Sequence, residues 1–185
     1  MRMFSAMRDS AAAPAAVTLM LVAAAGLPAQ ERSKPAPTDA EIAHIAVTAN
    51  QVDIDLAKLA KTKSRNAEVQ RFAETMISDH TAVIDQAVAL VKQLGVTPAE
   101  HEVSRSLLAS ASESRTQLQS LSGAAFDAAY MDREVAYHQA VIDAVGQVLI
   151  PNAKNAQLKA LLEKVQPALQ GHLRHAKDVG AKLER

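Results

Sequence analysis

From residue 39 onward, apolar side chains recur at intervals of three and four, which predicts amphipathic helices rather than strands. Ile42, Ile45, Ala49, Val52, Leu56 and Leu59 mark one face of a helix over about 39–64. Thr38 and Glu41 supply its start, because a threonine followed three residues later by glutamate satisfies free amides of a first turn. Asn66 can cap a second helix, striped by Val69, Phe72, Met76, Val83, Ala87, Leu90 and Leu94 and stopped by Gly95. The short link between these two helices makes them antiparallel neighbours. Thr97-Pro98-Ala99-Glu100 reads as another capping box, opening a shorter, more polar helix over about 98–119 whose weak stripe is Val103, Leu107 and Leu118. Ser122-Gly123 begins a further helix to about residue 150, with Phe126, Tyr130, Val135, Val141, Ile142, Val145 and Leu149 inward and Pro151-Asn152 at its end. The last helix, about 153–184, runs through Leu158, Leu162, Val165, Leu169, Leu173 and Val179. Pro167 lies inside it, and a proline there removes a backbone hydrogen bond, so a bend is expected.

Four helices of about 40 Å each result, joined by one long crossover that carries the fifth. The expected fold is therefore all-α: a ferritin-like up-down four-helix bundle with an extra helix in the crossover between the second and third long helices. An apolar stock of Ala, Val and Leu with few aromatics suits closely packed helices.

The residues before the bundle read differently. Arg2 and Arg8 precede an apolar run from about residue 11 to 27, which ends in small residues at Leu27-Pro28-Ala29. This is the layout of a secretory signal peptide, assigned to residues 1–29. Residues 30–37, with two prolines, read as a linker, and 38–185 as the bundle domain. The expected location is periplasmic or outer-membrane associated, with no integral membrane span after processing. The chain holds no cysteine, which excludes disulfides, thiolate ligands and a lipid-bearing cysteine. Twenty basic and twenty acidic residues cancel, and the sparse aromatics form no stacking platform, so nucleic-acid binding is not expected.

Six histidines remain to be sorted by helix face. His44 shares a face with Thr48, Gln51, Asp55 and Lys58, and His101 lies near a helix start; both are expected to be solvated. Glu41 and His44 have the Glu-x-x-His spacing of di-iron ligands but point with the polar face. His80, His138 and His172 instead interrupt apolar stripes on three different helices. Asp53 lies at the edge of the first stripe, and Glu134 shares a face with His138. Measured from the helix midpoints, Asp53, His80, Glu134, His138 and His172 fall in one middle layer of the bundle. His175 is expected at its rim. Two readings stay open. The layer is a site for one transition metal ion, zinc, iron, copper or nickel, held by nitrogen and oxygen ligands; or it is a metal-free network in which each histidine bonds Asp53, Asp79, Glu134 or a tyrosine.

The strings His80-Thr81-Ala82-Val83-Ile84-Asp85 and His138-Gln139-Ala140-Val141-Ile142-Asp143 share five residues of six in the sequence above, which suggests two related helix pairs. Neither a nucleophile beside a histidine and an acid nor a phosphate loop is present in the sequence, so enzymatic activity is not expected. An envelope protein partner or self-association is the alternative use of such a bundle.

Val52 to Ala60 (VDIDLAKLA), Val69 to His80 (VQRFAETMISDH), Leu121 to His138 (LSGAAFDAAYMDREVAYH) and Gln166 to Ala176 (QPALQGHLRHA) resemble the bacterial family called domain of unknown function 4142. That family is often labelled an outer membrane protein and placed with ferritin-like folds. The resemblance implies fold and export rather than an activity. The family pattern has glutamate where this chain has Asp53, one methylene shorter, and the two interior Glu-x-x-His pairs of di-iron bundles are missing.

Overall fold

The computed structural model describes residues 35–183. The segment assigned to export and the linker up to residue 34 lie outside the described residues. The elements are α1 (Asp39–Lys63), α2 (Ala67–Leu94), α3 (Glu102–Ser120), α4 (Gly123–Ala144), a π-helical turn (Val145–Leu149), the short α5 (Ile150–Asn152) and α6 (Ala156–Leu183). The described residues are helical with no strand, and the expected bundle with a helical crossover is the architecture observed. None of these helices is long and apolar enough to cross a membrane.

The termini of the helices are set largely as the sequence dictates. Thr38 and Glu41 form the capping box of α1, and Asn66 Oδ1 accepts from the amides of Glu68 and Val69 to start α2. Gly95 ends α2 in the left-handed conformation, φ 63°, where a glycine has no Cβ to strain. Two starts differ. The helix expected at Pro98 begins at Glu102, because the amide of Ala99 is drawn across to the carbonyl of Ala40 at 3.1 Å. His101 then takes the capping role: its Nδ1 accepts from Val103 N–H at 3.2 Å, and Ser104 Oγ accepts from His101 N–H at 3.1 Å. At the far end of α4, Ile150 N–H bonds the carbonyl of Val145, five residues back. Pro151 supplies the physical reason, since its ring crowds the carbonyl four residues earlier and a widened turn relieves that crowding. Pro167 lies within α6, which continues on both sides of it.

α1, α2, α6 and α4 contact one another in that order around the bundle, and α3 packs mainly along α1. α1 and α6 run down, α2 and α4 run up, so each neighbour in the ring is antiparallel. α3 covers the face of α1 that the sequence reading left to solvent: His44 is half-buried with Nδ1 3.0 Å from Ser104 Oγ, and Thr48 is buried. The repeated strings fall on α2 and α4, the second helix of one hairpin and the first of the other. A duplicated hairpin would place them on α2 and α6, so the repeat does not mark two related pairs. It puts two nearly identical segments on helices running the same way.

The interior separates into two apolar clusters. The lower one contains Leu56, Phe72, Met76, Phe126, Tyr130, Met131 and Val179, with Phe72 and Phe126 each 6.2 Å from Tyr130 between ring centroids. Full burial of such side chains contributes about 1.5–3 kcal/mol each. The upper cluster is aliphatic, built on Ile42, Ile45, Val145, Leu149, Leu158, Leu162 and Leu169. Along every long helix the polar residues Asp53, His80, Glu134, His138 and His172 fall between the two.

Candidate metal centre

Each helix delivers its polar side chain inward because the residues one turn away are core residues. Asp53 sits between Val52, Leu56 and Ala49 on α1, His80 follows Met76 by four on α2, and His172 lies between Leu169 and Ala176 on α6. Glu134 and His138 follow Tyr130 at successive four-residue steps on α4, all three on one buried face. The five residues are brought together. Asp53, Glu134 and His138 are 0 % exposed, His80 4 % and His172 8 %, so Asp53 lies in the centre and not at the stripe edge expected from its position. One ligand atom from each of His80, His138 and His172 lies within 4.8 Å of the others, and the same holds for Asp53, Glu134 and His138. The imidazole centroids are 5.7 Å apart for His80–His138, 5.1 Å for His80–His172 and 5.4 Å for His138–His172.

The hydrogen bonds fix which ring nitrogen faces the centre. Asn50 Nδ2 donates to Ala46 carbonyl at 2.7 Å, leaving its Oδ1 to accept from His80 Nδ1–H at 2.7 Å. His138 Nδ1 lies 3.0 Å from the Glu134 carbonyl, and His172 Nε2 lies 3.0 Å from Asp79 Oδ2. Every ring therefore commits its N–H to an outer acceptor, which leaves His80 Nε2, His138 Nε2 and His172 Nδ1 as lone-pair nitrogens in the neutral rings. Those three atoms, with both oxygens of Asp53 and Oε2 of Glu134, have no aligned hydrogen-bond partner among the described residues. Buried polar atoms are seldom left so. Asp53 Oδ2 stands 2.9 Å from His80 Nε2 and 3.4 Å from His138 Nε2. Two lone-pair atoms at the shorter distance repel unless a cation or a proton lies between them.

The charges in the layer are matched by a residue the sequence reading did not single out. Arg133 places a guanidinium nitrogen 2.7 Å from Glu134 Oε1 and 3.8 Å from Asp53 Oδ1, and its plane covers the Tyr137 ring at 4.0 Å. Tyr137 in turn donates to the carbonyl of Ala49 at 2.7 Å. Burial pushes the Asp53 carboxyl up, but contact with His80 and the charges of His138 and Arg133 outweigh it and hold Asp53 at about 2. Burial pushes Glu134 well above the usual carboxylate range, reinforced by the charge of Asp53 and opposed by Arg133. Burial also lowers His138, to about 4, and lowers His172, against the pull of Asp53 and Asp79. At neutral pH the layer thus holds neutral His138 and His172, an ionised Asp53 and a charged Arg133.

The donor set fits a transition metal. Three neutral imidazoles with one or two carboxylates are ligands of zinc, copper, iron or nickel, and ligand atoms around a tetrahedral ion at about 2.1 Å are about 3.4 Å apart. Side-chain rotations would close the remaining distance. A hollow of about 10 Å3, large enough for about one water-sized body, lies against Asn50, His80, Tyr137 and His138. His175 is outside this group, 5.1 Å from the Phe72 ring and half-buried, at the rim as its position suggested.

The pH dependence of stability follows from these shifts. A group depressed in the fold, as His138 is from 6.5 to about 4, takes up its proton more readily when unfolded. Its contribution is full above pH about 6.5 and is lost as pH falls toward 4, up to about 3 kcal/mol. Glu134, raised in the fold, has the opposite sign and loses stability as pH climbs above its ordinary value. In Glu134→Gln, where that opposing group is gone, urea unfolding without metal should show stability falling steadily from pH 6.5 to 4. A flat profile would mean that His138 is charged in the fold.

No curated protein and no solved structure matches the chain. A family model described as Domain of unknown function (DUF4142) matches residues 24–179, taking in all of α1 to α5, most of α6 and every residue of the polar layer. The chain belongs to that family.

Proposed function

We propose that this is an exported protein of the bacterial cell envelope whose helical bundle binds one transition metal ion through His80, His138 and His172, with Asp53 and Glu134 as carboxylate ligands. The observation that carries the reading is the set of three inward ring nitrogens without an aligned hydrogen-bond partner among the described residues, each with its outer N–H already anchored. Such anchoring is what holds a ligand imidazole in one tautomer and one orientation. Export and the periplasmic or outer-membrane location are proposed from residues 1–29 of the sequence. The role is binding an ion rather than turning over a substrate. Elemental analysis of untagged protein should find zinc, copper, iron or nickel at close to one ion per chain, and none in the His80→Ala, His138→Ala double variant. Background metal in the folded wild type, with no thermal shift on adding any of the four, would end this reading.

The 2.9 Å contact between His80 Nε2 and Asp53 Oδ2 favours a second reading. A ring proton there would make an imidazolium–carboxylate pair and leave a metal-free polar layer that fixes helix register. The bundle would then be a structural or stress-response module acting through an envelope partner or a second copy of itself.

A further inference from the structure

Above the polar layer, the upper halves of α1, α2, α4 and α6 enclose a cavity of about 480 Å3, walled almost entirely by Ala, Val, Leu and Ile. The volume comes from small residues at inward positions on three helices, among them Ala43, Ala46, Ala87 and Ala144. His80 and His172 form part of its wall, beside Asn50, Asp79 and Tyr137. The chamber reaches the surface along the seam between α2 and α6, where its lining residues Ala82, Gln86 and Ala168 are exposed. Lys164 Nζ donates to Gln86 Oε1 at 2.9 Å across that seam.

We propose that this chamber binds a single-chain aliphatic lipid, its alkyl tail among the alanines and branched side chains and its small polar head at a polar end of the wall. The inference goes beyond the metal reading and does not rest on it. An apolar chamber of this size leaves its alkyl walls without packing partners on one side, and water gains little among them. The volume is that of a small-molecule pocket. The lining chooses the chemistry: Tyr137 is the one aromatic ring besides the two imidazoles, so a flexible chain fits better than a planar ring system, which aromatic side chains would be needed to stack. The walls also offer a place for a head group. His172 Nδ1, in a residue 8 % exposed and on the chamber wall, is a buried nitrogen without a hydrogen-bond partner among the described residues. In the metal-free protein it is suited to a hydroxyl or carboxylic acid, which would compete there with an ion. Lys164 at the seam suits an ionised carboxylate.

The test is a calorimetric titration of delipidated protein, expressed from the full sequence and treated with chelator, with saturated fatty acids of six to sixteen carbons and with the sixteen-carbon alcohol. Saturable binding at about one chain per protein is expected, tightening about fourfold per added methylene until the chamber is filled. Equal binding of acid and alcohol places the head at His172, and loss of the preference for the acid in Lys164→Gln places it at the seam. Ala46→Phe and Ala87→Phe, which fill the chamber from two helices, should each weaken binding at least tenfold while retaining a helical circular dichroism spectrum. No saturable binding, or an affinity that does not rise with chain length, overturns the proposal in the wild type alone. Unchanged binding in both folded phenylalanine variants overturns it too, as does a dimer that lipid fails to dissociate, since a second copy would then occupy the chamber.

Discussion

Replacing Arg133 by methionine should cost the metal-free chain about 3–5 kcal/mol in urea unfolding, and zinc should return much of it. The methionine keeps an unbranched stem in the same space but removes the guanidinium that, among the described residues, the layer contacts. Asp53 and Glu134, each 0 % exposed, are then left with no positive neighbour beyond the histidines. Removing one partner of a buried pair costs more than the pair itself contributed, because the remaining charge cannot be hydrated. A dication bound between the imidazoles restores the missing positive charge, so the variant should bind zinc more tightly than the wild type does. If the variant is destabilised and zinc changes neither it nor the wild type, the layer is a structural network and its cation is Arg133 alone.

Metal at a free concentration a hundredfold above its dissociation constant should stabilise the wild type by about 3 kcal/mol, the amount that one-site linkage requires. In His80→Ala, His138→Ala that gain should vanish completely. The more discriminating variant is Asn50→Ala. Asn50 touches no proposed ion; it accepts from His80 Nδ1–H at 2.7 Å and so fixes which nitrogen faces inward. Its loss should weaken metal affinity about 10- to 100-fold, the usual effect of removing such an anchor, with the ligands intact and the helices folded. Unchanged affinity would show that His80 does not bind through Nε2.

The helices were readable from their stripes and caps because those signals are local. Thr38, Asn66 and Gly95 act within their own turns, and the structure uses all three as read. His80, His138 and His172 were readable as a layer because each breaks an apolar stripe, and Asp79 was named among their partners. What the sequence does not carry is rotation about each helix axis and the reach of a neighbour. Arg133 is not singled out by any stripe or spacing, and its role shows only when the acids of two helices are seen to share it. His44 reads as solvated until α3 is laid over it, and the start of α3 depends on a bond from Ala99 to Ala40, distant in sequence but adjacent in space. The chamber was the least legible feature. Alanines at inward positions suggest close approach of helices, and the same residues leave a hollow when the helix axes stay apart.

Among the described residues the aromatic rings of Phe72, Phe126 and Tyr130 lie in the lower cluster and Tyr137 at the waist, and that decides what light can report. The chain has no tryptophan and two tyrosines, Tyr130 and Tyr137; the first is packed in the lower cluster and the second stands beside the polar layer. Intrinsic emission therefore follows the lower half and the polar waist, and a paramagnetic ion, if bound there, would quench it. Opening of the aliphatic upper half would be reported by Tyr137 alone, which stands at the base of the chamber wall, while Tyr130 in the lower cluster would stay silent.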